Sequence, residues 1–187
     1  MYKKAVGKKR NSSIAGMAVI LVFCICIFMF TGSAGKIISV LVFCLFGGLM
    51  YMSIAKYNRG LRQIESKYPG NLEADINNCK NFVANKYFFL NDCLVDLENV
   101  KIINYNSIKS AEGARTGNHM SANGGLSAGF AVELHMTDGA VVLIANFRDG
   151  TDARPSEMRR NYDSFLSQLS AKCPDLNITD KLLKSRP

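Results

Sequence analysis

The sequence predicts an α+β membrane protein: a two-helix transmembrane hairpin, then an antiparallel β-sheet domain closed by a C-terminal helix. Three observations predict it. Two apolar runs, Ile14–Phe30 and residues 37–55, are separated only by Thr31-Gly32-Ser33-Ala34-Gly35-Lys36. From Val83 onward, short apolar stretches alternate with turn-forming pairs such as Asn91-Asp92 and Asp138-Gly139. Near the end, Met158, Tyr162, Phe165, Leu166 and Leu169 fall at helical spacing behind Pro155-Ser156.

At a rise of ~1.5 Å per residue each apolar run covers roughly 25–28 Å, close to the ~30 Å hydrocarbon thickness of a bilayer. A helix satisfies its own backbone in lipid, so each run is expected to span as a helix. Neither run contains Asp, Glu, Lys or Arg. A transporter or proton relay needs an ionisable group at that depth, so independent transport is not expected. Gly47-Gly48, with Cys44 one turn earlier, offers a small-residue patch for close helix packing.

Charge placement gives the topology. Lys3, Lys4, Lys8, Lys9 and Arg10 precede the first run, and Lys56, Arg59, Arg62 and Lys67 follow the second. Lys36 stands alone between them, and the first acidic residue is Glu65. The positive-inside rule therefore places both termini in the cytoplasm and the chain in the cell membrane as a multi-pass protein. Lys8, Lys9, Arg10, Lys56, Arg59 and Arg62 are the candidate contacts with the membrane surface, most simply as topology signals and alternatively as ligands for anionic lipid. A cleaved secretory signal ending near Gly32-Ser33-Ala34 is the rival reading. The first run is longer than a signal core, and a second full run follows at once.

A net charge of +8 is the sign a nucleic-acid partner requires, but its distribution argues otherwise. Residues 1–55 hold six Lys/Arg and no acid, whereas residues 56–187 hold seventeen against fifteen acids. A nucleic-acid module concentrates its excess on the folded domain. Here the excess sits beside the membrane, and no nucleic-acid partner is expected. Cys24, Cys26 and Cys44 lie in the apolar runs, while Cys79, Cys93 and Cys173 are scattered over a domain assigned to a reducing compartment. All six read as small apolar fillers.

The organisation that follows is a basic N-terminus (1–13), a transmembrane hairpin (14–55), a juxtamembrane helical linker (56–82), a sheet domain (83–174) and a polar tail (175–187). Ile54, Leu61, Ile64 and Tyr68 continue one helical face beyond the second run until Pro69-Gly70. Asn71 is placed to cap a short helix carrying Leu72, Ile76 and Cys79, with Glu73 and Asp75 in its first turn. Residues 86–90 and 93–97 form a hairpin about Asn91-Asp92. Residues 100–105 make a third strand and 108–111 a fourth. Residues 110–127, rich in Gly, Ser and Asn, read as a long loop or the splayed tip of a hairpin. Residues 130–136 alternate, Asp138-Gly139 turns the chain, and 140–147 returns as a nearly continuous apolar run, expected as a central strand covered on both faces. Cys173-Pro174 ends the last helix, and the tail beyond is expected to fray.

Segments 85–92, 100–108 and the Asp138-Gly139 hairpin leading into the final helix resemble a pleckstrin-homology-like (PH-like) domain. With the apolar hairpin before it, the chain is similar to small bacterial membrane proteins that carry a cytoplasmic domain of that kind, most of them uncharacterised. The resemblance implies a strongly bent antiparallel β-barrel or sheet with one end closed by the C-terminal helix. Lipid-binding members grip inositol phosphates through bases on the first strand pair and its loop. This sequence departs there, since the connection is Asn91-Asp92 and Lys86 is the only base on those strands.

No residue pattern names a reaction. His119 lies in the 110–127 segment and His135 on a predicted strand; neither has a second His or a Cys at metal-ligand spacing. Ser164, Ser167 and Ser170 are the polar face of the last helix. Gly124-Gly125 lacks the strand-loop-helix setting and the Lys of a phosphate-binding loop. Catalytic, cofactor and metal sites are accordingly expected to be absent. Arg148, Asp149, Asp152 and Arg154 cluster around Gly150 as candidate contacts for a protein partner, with a plain charged helix entry as the structural alternative. Arg159 and Arg160 read as a solvated helix face. Two functions from different classes follow: a membrane-anchored interaction module that binds a protein or a copy of itself, and a module that responds to anionic lipid.

Overall fold

The computed structural model describes residues 2–30, 32–120, 126–145, 147–148 and 154–180. The chain divides into two compact units, Met1–Asn77 and Asn78–Pro187.

The first unit is helical. Helix α1 (Tyr2–Phe30) and helix α2 (Ser33–Lys67) run antiparallel. Three contacts mark the pairing along its length. Lys36 Nζ lies 5.3 Å from the Phe28 ring centre near the turn. Gly16 sits against Met50, where any side chain would meet the Met50 methyl. At the open end, the Tyr2 hydroxyl donates to the Glu65 carboxylate. Outward from this pair point Val19, Phe23, Met29, Ile37, Leu41, Tyr51 and other large apolar side chains, all exposed. Of the described helices, one is long and apolar enough to cross a membrane, over Lys36–Lys67; the apolar part of α1, Ile14–Phe30, is shorter. As expected, α2 continues without a break past its apolar run, closing where Tyr68 N–H donates to the Ile64 carbonyl at 3.0 Å. The Asn71 cap also forms, its Oδ1 accepting from Ala74 N–H at 3.0 Å, and starts helix α3 (Leu72–Asn78). Leu61, Ile64, Leu72 and Ile76 are buried.

The second unit holds two four-stranded sheets and one long helix. In the first sheet, β1 (Phe82–Val83), β2 (Tyr87–Phe89), β3 (Cys93–Asp96) and β4 (Lys101–Asn104) follow one another antiparallel. The Asn91-Asp92 hairpin is realised, with Phe88 opposite Val95. β1 was not foreseen: it is two residues long, and its turn needs positive φ at Ala84 (52°) and Asn85 (50°), which the sequence signals weakly.

The second sheet runs β7-β6-β5-β8. Strands β5 (Ile108–Met120), β6 (Leu126–Met136) and β7 (Val141–Ala145) are antiparallel neighbours, and β8 (Asn177–Asp180) lies parallel to β5. One open alternative is decided here and two expectations are corrected. Of the two readings of residues 110–127, the hairpin holds over the loop: residues 110–120 and 126–127 are paired backbone, with Ala111 opposite Leu134 and Met120 opposite Leu126; residues 121–125 lie outside the described residues. Ladder hydrogen bonds require no side chains, so Gly, Ser and Asn do not prevent a two-stranded ribbon. The tail does not fray from residue 175, because residues 177–180 return beside β5. Finally, β7 is not central but terminal in its sheet, with Val141 54% and Leu143 50% exposed. An apolar run of five residues does not by itself distinguish a doubly covered strand from an edge.

Turn chemistry explains the β6–β7 connection. Gly139 N–H donates to the Met136 carbonyl at 3.1 Å, and Met136 N–H donates to the Ala140 carbonyl at 2.8 Å. Gly139 takes φ +85°, which glycine reaches without strain. The loop is therefore three residues, Thr137-Asp138-Gly139, with glycine in its left-handed position.

Helix α4 (Pro155–Lys172) starts at the predicted proline and buries Met158, Tyr162, Phe165 and Leu169. Phe165 is the centre of the core, with ring centres of Phe89, Phe147 and Tyr87 at 5.2, 5.4 and 5.5 Å. Leu94, Val132, Leu134 and Ile144 complete it.

Candidate functional site

The charged entry to α4 is only partly visible. Arg154 is exposed and extended, and its carbonyl accepts from Glu157 and Met158 N–H, so it acts as the backbone cap of the helix. Arg148 is half-buried beyond the end of β7. Asp149 and Asp152 lie outside the described residues. The four are therefore not shown to converge.

The basic residues beside the apolar segment are better organised. Lys56, Arg59 and Arg62 are exposed and stand at three-residue steps along α2, which puts them on one helical face. The antiparallel contacts Tyr2–Glu65 and Gly16–Met50 bring the backbone of Lys8, Lys9 and Arg10 level with that stretch of α2. Both groups of bases thus occupy one level of the helix pair.

Among the described residues no group of three His, Cys, Asp or Glu is arranged to hold a metal ion. His135 is half-buried on β6 opposite Val141, facing away from Leu134. The side chain of His119 is not among those described, nor are Gly124 and Gly125. Cys79 Sγ lies 3.1 Å from the Asn81 carbonyl, and burial pushes the thiols of Cys79 and Cys173 upward, away from reactivity.

Two polar clusters escaped the sequence reading, and both are built into the fold. Asp96 is fully buried yet accepts from Glu98 N–H at 2.8 Å, Asn99 N–H at 3.0 Å and Asn99 Nδ2 at 2.8 Å. It closes the β3–β4 turn. On α4, the Tyr162 hydroxyl donates to Asp180 Oδ1 at 2.9 Å, while Arg159 Nε donates to both Asp163 oxygens at 2.9 and 3.1 Å. The Arg159 guanidinium also lies over the rings of Tyr162 and Phe130, 5.5 and 5.6 Å from their centres. Burial, then the bond to Asp180, hold the Tyr162 phenol far above its ordinary value, so it is a fixed donor. This cluster ties β8 to α4. The signal was present in the alternation of Asn177-Ile178-Thr179-Asp180, read as a tail.

The remaining feature is β7. Apart from residues of α1 and α2, Val141 and Leu143 are the only large apolar side chains found exposed among those whose side chains are described. No protein-family model, curated protein or solved structure matches the chain.

Proposed function

We propose that the chain is a membrane-anchored, non-catalytic interaction module. In this reading α1 and α2 both enter the bilayer as a hairpin, the termini face the cytoplasm, and the second unit is a PH-like domain that binds a protein or a copy of itself. The observation that carries it is the division of exposed apolar surface. It covers the halves of α1 and α2 next to their connecting turn, where lipid would receive it, and among the described side chains outside those helices it falls on one strand edge. A 17-residue apolar stretch in α1 is at the short limit for a span, and pairing with the longer α2 accommodates that mismatch.

A PH-like domain is supported by the order of elements: a four-strand meander, a three-strand meander, then α4. β8, returning parallel to β5 after the helix, is an addition to that plan. Alkaline carbonate extraction followed by protease protection tests the anchoring: the chain should stay with the membrane and residues 78–187 should be cut only from the cytoplasmic side. Release by carbonate, or protection of the C-terminal unit in inverted vesicles, would sink the reading.

A second reading is favoured by the common level of Lys56, Arg59 and Arg62 with the N-terminal bases. There the module responds to anionic lipid collected at that level. Native mass spectrometry of the protein with its lipids separates the two: a selectively retained anionic lipid without protein would move this reading to first place.

A further inference from the structure

We propose that β7 is the pairing edge for a second copy of this chain, joined antiparallel about a two-fold axis through Leu143. The inference rests on the interaction-module reading and names its partner.

Hydrogen-bond parity comes first. The bond from Met136 N–H to the Ala140 carbonyl makes those residues a bonded pair. Along the register, Leu134–Val142 and Val132–Ile144 then bond inward as well. Val141, Leu143 and Ala145 consequently direct their N–H and C=O groups to the outer edge. The buried Tyr87 hydroxyl donates to the Ala145 carbonyl, which fits that parity and leaves Val141 and Leu143 as the open part of the edge. No described strand lies beyond β7.

This edge also lacks the usual protection. Residues 140–145 contain no charge and no proline, and the β6–β7 register is regular. Sheets ordinarily guard an exposed edge with Lys, Pro or a bulge. Here the edge instead presents Val141 and Leu143, half exposed on one face.

Charge decides the occupant and its direction. Asp138 precedes the strand and Arg148 follows it, each five residues from Leu143. Antiparallel pairing of two copies about Leu143 sets Val141 against Ala145 of the other copy and brings each Asp138 to the end that carries the other Arg148. Parallel pairing would set like charge beside like. Such a contact is isologous and closes on itself as a dimer. Copies held in one membrane plane meet at raised effective concentration, which favours a modest edge contact.

The test uses the full chain in detergent micelles and in lipid discs. Opposed residues of a bonded antiparallel pair lie about 5.5 Å apart at Cα, within disulfide reach. Oxidation of Leu143→Cys should give a dimer whose linked peptide carries position 143 from both copies; Lys109→Cys, at an exposed position of interior strand β5, should not. Leu143→Lys should turn the wild-type dimer into monomer in sedimentation while carbonate resistance is unchanged. Asp138→Arg should weaken the dimer, and adding Arg148→Asp should restore it. A dimer that survives Leu143→Lys and yields no link at position 143 overturns the assigned edge, although self-association stands. A monomeric wild type overturns the second copy, including the case in which Leu143→Lys releases a different protein. Loss of carbonate resistance in the wild type would instead defeat the anchoring reading.

Discussion

The hydroxyl of Tyr162 on α4 occupies the space that a side chain on Gly113 of β5 would need. From there it donates to Asp180 of β8 at 2.9 Å. One missing Cβ therefore lets a helix, a central strand and a terminal strand meet at a single polar atom. Gly113 also faces Asp180 in the parallel β5–β8 register. The glycine is required by close approach rather than by its backbone angles.

Gly113→Ala should destabilise the protein by about 1–3 kcal/mol, the usual cost of overpacking a filled site. Tyr162→Phe alone should cost about 1 kcal/mol for the lost hydrogen bond. Combining them should cost less than the sum, because the phenylalanine no longer places an oxygen against the new methyl. Denaturation midpoints of the three variants check this; strict additivity would mean that Gly113 and Tyr162 do not share that space.

Truncation after Pro174 should expose the β5 edge and unseat Tyr162 and Arg159. We expect a lower midpoint and faster amide exchange in β5 and α4, with α1 and α2 unaffected. Ile178→Asp should reproduce part of the loss by placing a charge where a partly buried apolar side chain packs on the core. Unchanged exchange in β5 after truncation would show that β8 adds nothing to the sheet.

What the sequence disclosed follows from where the information lies. Helix α4 was readable because Pro155, the 3.6-residue apolar spacing and Cys173-Pro174 agree. The Asn71 cap and the Asp138-Gly139 turn were readable because they are local backbone chemistry. β8 was not, because its evidence is distant: Asn177–Asp180 become a strand only when β5 is already there to receive them. The position of β7 failed for the same reason, since being at an edge is a property of the whole sheet. Of the proposed contact residues, the common helical face of Lys56, Arg59 and Arg62 follows from their spacing, whereas any convergence of Arg148 with Arg154 depends on tertiary placement that the pattern does not contain.

Val100 adopts φ +55°, an unusual conformation for a β-branched residue. Val100→Asn should relieve that strain and raise stability by about 0.5–1 kcal/mol, since asparagine enters the left-handed region readily. Thermal melts of the two proteins decide it. A lower midpoint would show that the half-buried valine side chain contributes more than its backbone costs.

Replacing Lys56, Arg59 and Arg62 together by Gln should reduce the preference for anionic over neutral lipid. Each juxtamembrane base contributes about 1 kcal/mol near a charged surface, so three changes should lower selectivity up to roughly hundredfold at low salt. Lipid enrichment around the purified protein measures the effect. An unchanged enrichment would leave these bases with topology alone.

Asp96 gives the pH prediction. Burial outweighs the donors from Asn99 and Glu98 and lifts its carboxyl above the ordinary 3.8. The folded protein therefore keeps that proton to higher pH than the unfolded chain does. In the window from 3.8 up to the folded value, the native state binds more protons, so this group's contribution to stability falls as pH rises. The contribution is full below the window and lost above it, with a slope of at most about 1.4 kcal/mol per pH unit. Asp96→Asn keeps an oxygen for Glu98 and Asn99 N–H but cannot ionise. The stability difference, wild type minus Asp96→Asn, should therefore shrink as pH is raised through that window in urea titrations. Asp96→Ala should show the same pH trend but cost about 1–3 kcal/mol more than Asp96→Asn at every pH, because two turn N–H groups lose their acceptor. A wild-type minus Asp96→Asn difference that grew with pH would mean that the turn donors, not burial, govern this carboxyl.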